Sequence, residues 1–175
     1  MDRHDIDAEL YRATADFHRL LDNATGAELG MATNGTKWTN KQLLFHMLFG
    51  YILVRALLPL VKGFGQLPPA ASRTFAEILN AGTRPFHVVN YLAALPGGTV
   101  LGRRAMERLM DSTIRHLRHR LDQESDRTLG LAMHFPMGWD PYFKDVMTVG
   151  DVYHYPTQHY EHHRRQLTTR CALES

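Results

Sequence analysis

Two histidines four residues apart, in the run Gln158-His159-Tyr160-Glu161-His162-His163-Arg164-Arg165-Gln166-Leu167, have the spacing of a metal-binding pair. Successive helical residues turn by about 100°, so positions i and i+4 return nearly to the same face. Two ring nitrogens at that spacing reach one ion without backbone strain, as in the zinc-protease helix motif. Two ligands hold a metal weakly, and a third must come from elsewhere in the chain. The best candidate is His46, in the apolar run Leu43-Leu44-Phe45-His46-Met47-Leu48-Phe49, where a buried imidazole needs a partner. Three neutral imidazoles and an open fourth position make a catalytic rather than a structural site. The competing reading is a polar C-terminal helix face. The chain has 11 histidines, and His154, His159, His162 and His163 would then simply be solvated.

The elements that must position these residues are helical. Ile6, Leu10, Ala13, Phe17 and Leu21 recur at three- and four-residue steps and predict a first amphipathic helix of about 17 residues. Asn23 to Thr36, rich in Gly, Asn and Thr, reads as a loop. Thr39 with Gln42 three residues on forms a capping-box pattern for a second helix, which runs to about Lys62 and stops at Gly63 and Gly65. Ser72 to Leu95 reads as two short helices broken near Gly82 and Pro85 and ended by Pro96-Gly97-Gly98. A third long helix follows from about Thr99 to Gln123, with Met106, Leu109, Met110, Thr113, Leu117 and Leu121 as its apolar seam. Gly130 to Met147 is aromatic and irregular, and no alternating strand pattern is visible in the chain. Thr148 and Asp151 can cap a last helix reaching about Thr169, with Pro156 either kinking it or sitting in its first turn. Four long helices joined by one long crossover and one long loop predict an all-α four-helix bundle with a short helical insertion between helices two and three.

Composition sets the outer bounds. A chain of 175 residues with 44% hydrophobic content suits one domain, residues 1–175, with a substantial core. The formal net charge of +2 implies no strong polyanion-binding field. The basic stretch from Arg103 to Arg120 is interrupted by Glu107 and Asp111 and reads as a solvated helix face, not a nucleic-acid surface. Residues 43–61 approach membrane-span length, but His46, Gly50, Arg55 and Pro59 interrupt them, so a core helix of a soluble bundle is expected and no membrane partner. Cys171 is the single cysteine, which excludes an internal disulfide framework and fits a reducing, cytoplasmic setting. The N-terminus leads into an amphipathic pattern rather than a signal peptide's apolar core.

This layout resembles the DinB-like superfamily of metal-binding four-helix bundles, which includes the YfiT-like thiol transferases. The residues that carry the resemblance are Trp38-Thr39 followed by His46, and His159-x-x-x-His163 with Gln166-Leu167. The resemblance implies His46, His159 and His163 as metal ligands, with zinc the first expectation and nickel the second, since imidazole suits both. It also implies a homodimer, in keeping with an apolar patch that the segment Phe135 to Phe143 could expose. Two positions depart from the family's pattern: Pro156 lies one turn before the histidine pair, and Arg165 stands where Gly is frequent.

A three-histidine divalent ion keeps strong Lewis acidity, can bring the pKa of bound water to about 7, and can equally hold a thiol as its thiolate. The resemblance favours the second use: a small-molecule thiol activated for transfer to an electrophile. Metal-dependent hydrolysis and a catalytically silent metal-binding or interaction module are the alternatives. Gln166 lies about 20° from His159 on the helical wheel, one turn beyond the ligand face, and can orient a ligand. Glu161 points away from that face, and His162 borders it. Asp145 and Tyr142 are candidate base or substrate contacts from the preceding loop, and Trp38 is expected to pack at the start of helix two.

Overall fold

The computed structural model describes residues 2–85, 92 and 98–174. Four long helices form the bundle: α1 (Arg3–Asn23), α3 (Asn40–Phe64), α5 (Arg103–Gln123) and α7 (Val149–Arg164). Short helices α2 (Gly26–Gly30), α4 (Pro69–Ala81), α6 (Asp126–Leu129) and α8 (Arg170–Leu173) lie between or after them. The long helices close a ring in which α1 packs on α5, α5 on α3, α3 on α7 and α7 on α1. The α3–α7 contact is the most extensive.

Local signals account for most boundaries. Thr39 caps α3 and Gln42 reaches back to the Thr39 amide, while Thr148 and Asp151 do the same for α7. The seam of α5 is buried as expected at Met106, Met110, Thr113, Leu117 and Leu121, and Ile114 joins it. The apolar character of α3, long enough to cross a membrane by length and composition, is accounted for by its packing. Leu43, Leu44, Met47, Leu48, Tyr51, Val54, Leu58 and Val61 are fully buried within the bundle. Part of the basic stretch makes specific contacts with α1. Arg118 forms a two-pronged ion pair with Asp7 at 2.6 and 2.8 Å, and Arg103 Nη1 donates to the Leu21 carbonyl at 2.8 Å.

Several expectations need correction. The Asn23–Thr36 loop contains α2, whose five residues are too few to show a period but carry their own Thr25–Glu28 capping box. The third long helix begins at Arg103, not near Thr99, because Gly102 occupies its N-cap in an extended conformation. The last helix ends at Arg164, five residues early. There the backbone amide of Thr168 is taken by Asn40 Oδ1 at 2.9 Å, and the fully buried Asn40 also binds the Thr168 hydroxyl. Of the two placements expected for Pro156, the one inside α7 is found. The segment Gly130 to Met147 is not wholly irregular: β1 (Ala132–His134) pairs antiparallel with β2 (Val146–Thr148), with Met133 opposite Met147. Strands of three residues are too short to announce themselves by alternation. In the helical insertion, α4 begins at Pro69 and not Ser72 and ends at Ala81 with Gly82 as its C-cap, near the expected break, and the second short helix falls mainly outside the described residues.

The buried face of α3 sets the fold's stability. Leu48→Ala, at a fully buried position, is expected to cost about 2–5 kcal/mol, against about 1 kcal/mol for removing the Thr39 cap with Thr39→Ala. Urea unfolding of the two variants measures the contrast.

Candidate metal centre

His46 lies in the second turn of α3, and His159 and His163 lie on successive turns of α7. The interface between these two helices brings the three together. One ring nitrogen from each lies within 4.8 Å of the others. The closest approach is 3.1 Å, between Nε2 of His46 and Nε2 of His159. His46 and His159 are buried, and His163 is half-buried. Gly50, one turn beyond His46, leaves the space His159 needs, since a methyl group there would stand 3.3 Å from its Cδ2.

The outward-facing nitrogens are held by specific acceptors. His159 Nδ1 donates to Asp140 Oδ2 at 2.9 Å, and His163 Nδ1 donates to Gln166 Oε1 at 2.6 Å. In the neutral ring each bond places the proton on Nδ1 and the lone pair on Nε2, the form a metal ligand requires. Asp140 also accepts from the Tyr155 hydroxyl at 2.9 Å and from the Tyr142 amide at 2.8 Å. Gln166 is itself anchored, because the amide of Asn34 donates to its carbonyl at 2.8 Å. The neighbouring Gly35 has φ +74°, a left-handed turn that suits a residue without Cβ. His46 is oriented differently. Its ring packs on Trp38 with centroids 4.4 Å apart, and its buried Nδ1 has no hydrogen-bond partner among the described residues. Trp38 also meets His163 edge-on at 6.2 Å, so it walls two imidazoles as well as packing at the start of α3.

The electrostatics keep His46 and His163 neutral. Burial, reinforced by His159 and His163, pushes His46 down to about 2. Burial and then the nearby His159 push His163 down to about 4, against a raising contribution from Gln166. Burial acts to raise the Asp140 carboxyl, but the hydrogen bonds from His159, Tyr142 and Tyr155 outweigh it and hold the group below its usual range. The Tyr155 hydroxyl is raised well above its ordinary value by burial and by Asp140, so it stays protonated and donates. Three inward-facing imidazole nitrogens, with two outer nitrogens fixed by acceptors, form a donor set that fits a divalent ion.

Other sequence candidates lie elsewhere. Asp145 accepts from His134 Nδ1 at 2.9 Å on the β-hairpin rather than approaching the imidazoles. Tyr142 reaches His162 Nδ1 through its hydroxyl at 3.2 Å, and only its backbone amide touches Asp140. Glu161 is exposed. Cys171 sits 2.8 Å from Arg19 Nη1, beside α1. Asp140 was not legible in the sequence. It lies 19 residues before His159 in an irregular loop, where no periodicity marks which carboxylate turns inward.

Beside the imidazoles lies a cavity reached by His46, Asp140, Tyr155 and His159 and otherwise walled, among the described residues, by apolar side chains. The aromatic segment contributes to it: Phe135 is buried, and Trp139 and Phe143 line the wall.

Two outcomes test this geometry. Asp140→Ala is expected to weaken divalent-metal binding about 10–100-fold, whereas Asp145→Ala leaves it unchanged, as measured by competition with a chromogenic chelator. In the metal-free protein, His46 and His163 titrate lower folded than unfolded, so the unfolded chain takes up protons that the folded state refuses. Their stabilising contribution is therefore complete above about pH 6.5 and is lost as pH falls toward 4, by up to about 1.4 kcal/mol per pH unit for each group. Chemical unfolding at a series of pH values in chelator reads this slope, and stability that rises on acidification would contradict it.

No curated protein and no solved structure matches the chain. A sequence model of the DinB superfamily matches residues 9–167, a span that includes all three histidines, Asp140 and Gln166. With the match covering most of the chain, from α1 through the end of the last bundle helix, the protein belongs to the DinB superfamily.

Proposed function

We propose that this protein is a divalent-metal-dependent transferase that activates a small thiol for attack on an electrophile. The observation that carries this reading is the convergence of three imidazoles beside an apolar cavity. His46, His159 and His163 would hold the ion, with zinc the first candidate and nickel the second. A bound divalent ion with no anionic ligand supplies Lewis acidity, which stabilises a thiol in its nucleophilic thiolate form.

The chain's own residues account for the remaining requirements. Asp140 and Gln166 keep His159 and His163 in the tautomers that present Nε2 inward. Tyr155 retains its proton and donates to the Asp140 carboxylate at 2.9 Å. Apolar walls exclude water, which favours transfer over hydrolysis of a reactive electrophile. Cys171 lies against Arg19 and does not line the cavity, so the sulfur arrives with the cosubstrate. In the transfer, sulfur forms a bond to the electrophilic carbon, the bond to the leaving atom breaks with its electron pair, and the thiol proton passes to solvent. The thiol-transferase reading also follows the superfamily's YfiT-like branch, to which the Trp38-Thr39, His46 and His159-x-x-x-His163 pattern is similar. A homodimer is part of the same proposal.

The test uses metal-loaded protein with cysteine, glutathione or mercaptoethanol and chlorodinitrobenzene as electrophile. His159→Ala is expected to lose metal and turnover together while its helical circular dichroism persists, because the apolar seams supply the fold. Cys171→Ser is expected to retain the rate, and turnover should rise with pH and then level off as the activated thiol ionises. Turnover lost in Cys171→Ser but kept in His159→Ala would refute the mechanism. Consumption of electrophile without thiol would identify a hydrolase instead, and no turnover of either kind would favour a binding module.

A further inference from the structure

The cavity that reaches the imidazoles is long, and its polarity is segregated. Along α3 its wall is formed by His46, Gly50, Leu53, Leu57 and Leu60, residues three or four apart on one helix face. Fourteen residues separate the first from the last, which corresponds to about 21 Å along the axis. Phe75 and Leu79 of α4 and Met133 and Phe135 at the β-hairpin form the facing wall. Along this face exposure falls from 37% at Leu60 to 3% at His46.

The polar lining atoms are concentrated at the inner end. His46, His159, Asp140 and Tyr155 all belong to the imidazole cluster, and the Asp140 carboxylate is already engaged by His159 and Tyr155. Farther out, the indole nitrogen of Trp139 donates to the Leu79 carbonyl at 2.9 Å. Among the described residues, no Lys or Arg lines the cavity. Such a wall offers nothing to a phosphate, a sugar or a charged peptide, whose buried polar groups would lose their hydration without replacement. It does suit methylene groups, each of which gains from leaving water.

We propose that this channel takes a substrate with an extended, uncharged aliphatic group, laid along α3 with its reactive end at the three imidazoles. The proposal rests on the transferase reading for the reactive end only, where this substrate supplies the electrophile. The thiol, if polar, approaches the imidazoles from outside the channel.

Binding of butanol, hexanol and octanol, followed by calorimetry in metal-free and cobalt-loaded protein, tests the channel apart from turnover. One-to-one binding is expected to tighten about fourfold for each added methylene in both forms. Leu57→Trp, which fills the channel midway, should remove the advantage of octanol over butanol while cobalt uptake persists. Leu60→Asp, at the partly exposed outer end where a charge remains hydrated, should weaken octanol more than butanol and serves if the tryptophan variant does not fold. A flat alcohol series in the unmodified protein, or octanol binding unchanged in these variants, would overturn the proposal. A steep series without cobalt uptake would sink the metal reading and leave the channel standing, whereas cobalt uptake with a flat series would do the reverse.

Discussion

Three imidazoles facing one another across the α3–α7 interface are the constraint around which the rest of this protein is arranged. Nitrogen lone pairs turned into a buried space are costly without partners, and apolar residues at the same positions would pack the two helices more simply. The fold instead leaves room for the cluster: Gly50 accommodates His159, and Trp38 covers His46 and His163. The most extensive helix contact in the bundle is therefore also the one that carries the polar cluster.

Support for the cluster comes from segments far apart in the chain. Asp140 arrives from the loop between β1 and β2, and Gln166 from the residues just after α7. Asn34 and Trp38 arrive from the segment before α3. Together they orient the imidazoles and direct their nitrogens inward. Early termination of α7 is part of this design. By ending at Arg164 the helix frees Gln166 to turn back on His163 Nδ1 and lets Asn40 take the Thr168 amide.

The β-hairpin and its loop give the centre its surroundings. Met133, Phe135, Trp139 and Phe143 close one side of the cavity, and the same loop delivers Asp140 to His159. A single irregular segment thus sets both the electrostatics of one ligand and the apolar wall beside it. Loops held by a rigid helical scaffold commonly divide the work in this way: the scaffold fixes the ligands and the loop shapes access.

The sequence by itself determined the helical class, the caps at Thr39 and Thr148, and the seam of α5, because these depend on neighbours three or four residues apart. The common direction of His159 and His163 follows from the same local geometry. The burial of His46 could be read from the apolar residues on both sides of it. Only the tertiary structure decided that His46 meets the α7 pair, that Asp140 and not Asp145 supports His159, and that the aromatic segment turns inward. It also decided where α7 ends. These outcomes depend on contacts between residues 19 to 128 positions apart, for which local periodicity contains no signal. Helical pattern is set by the geometry of one turn, whereas the partner of a buried polar group is set by what the packed chain brings within hydrogen-bonding distance.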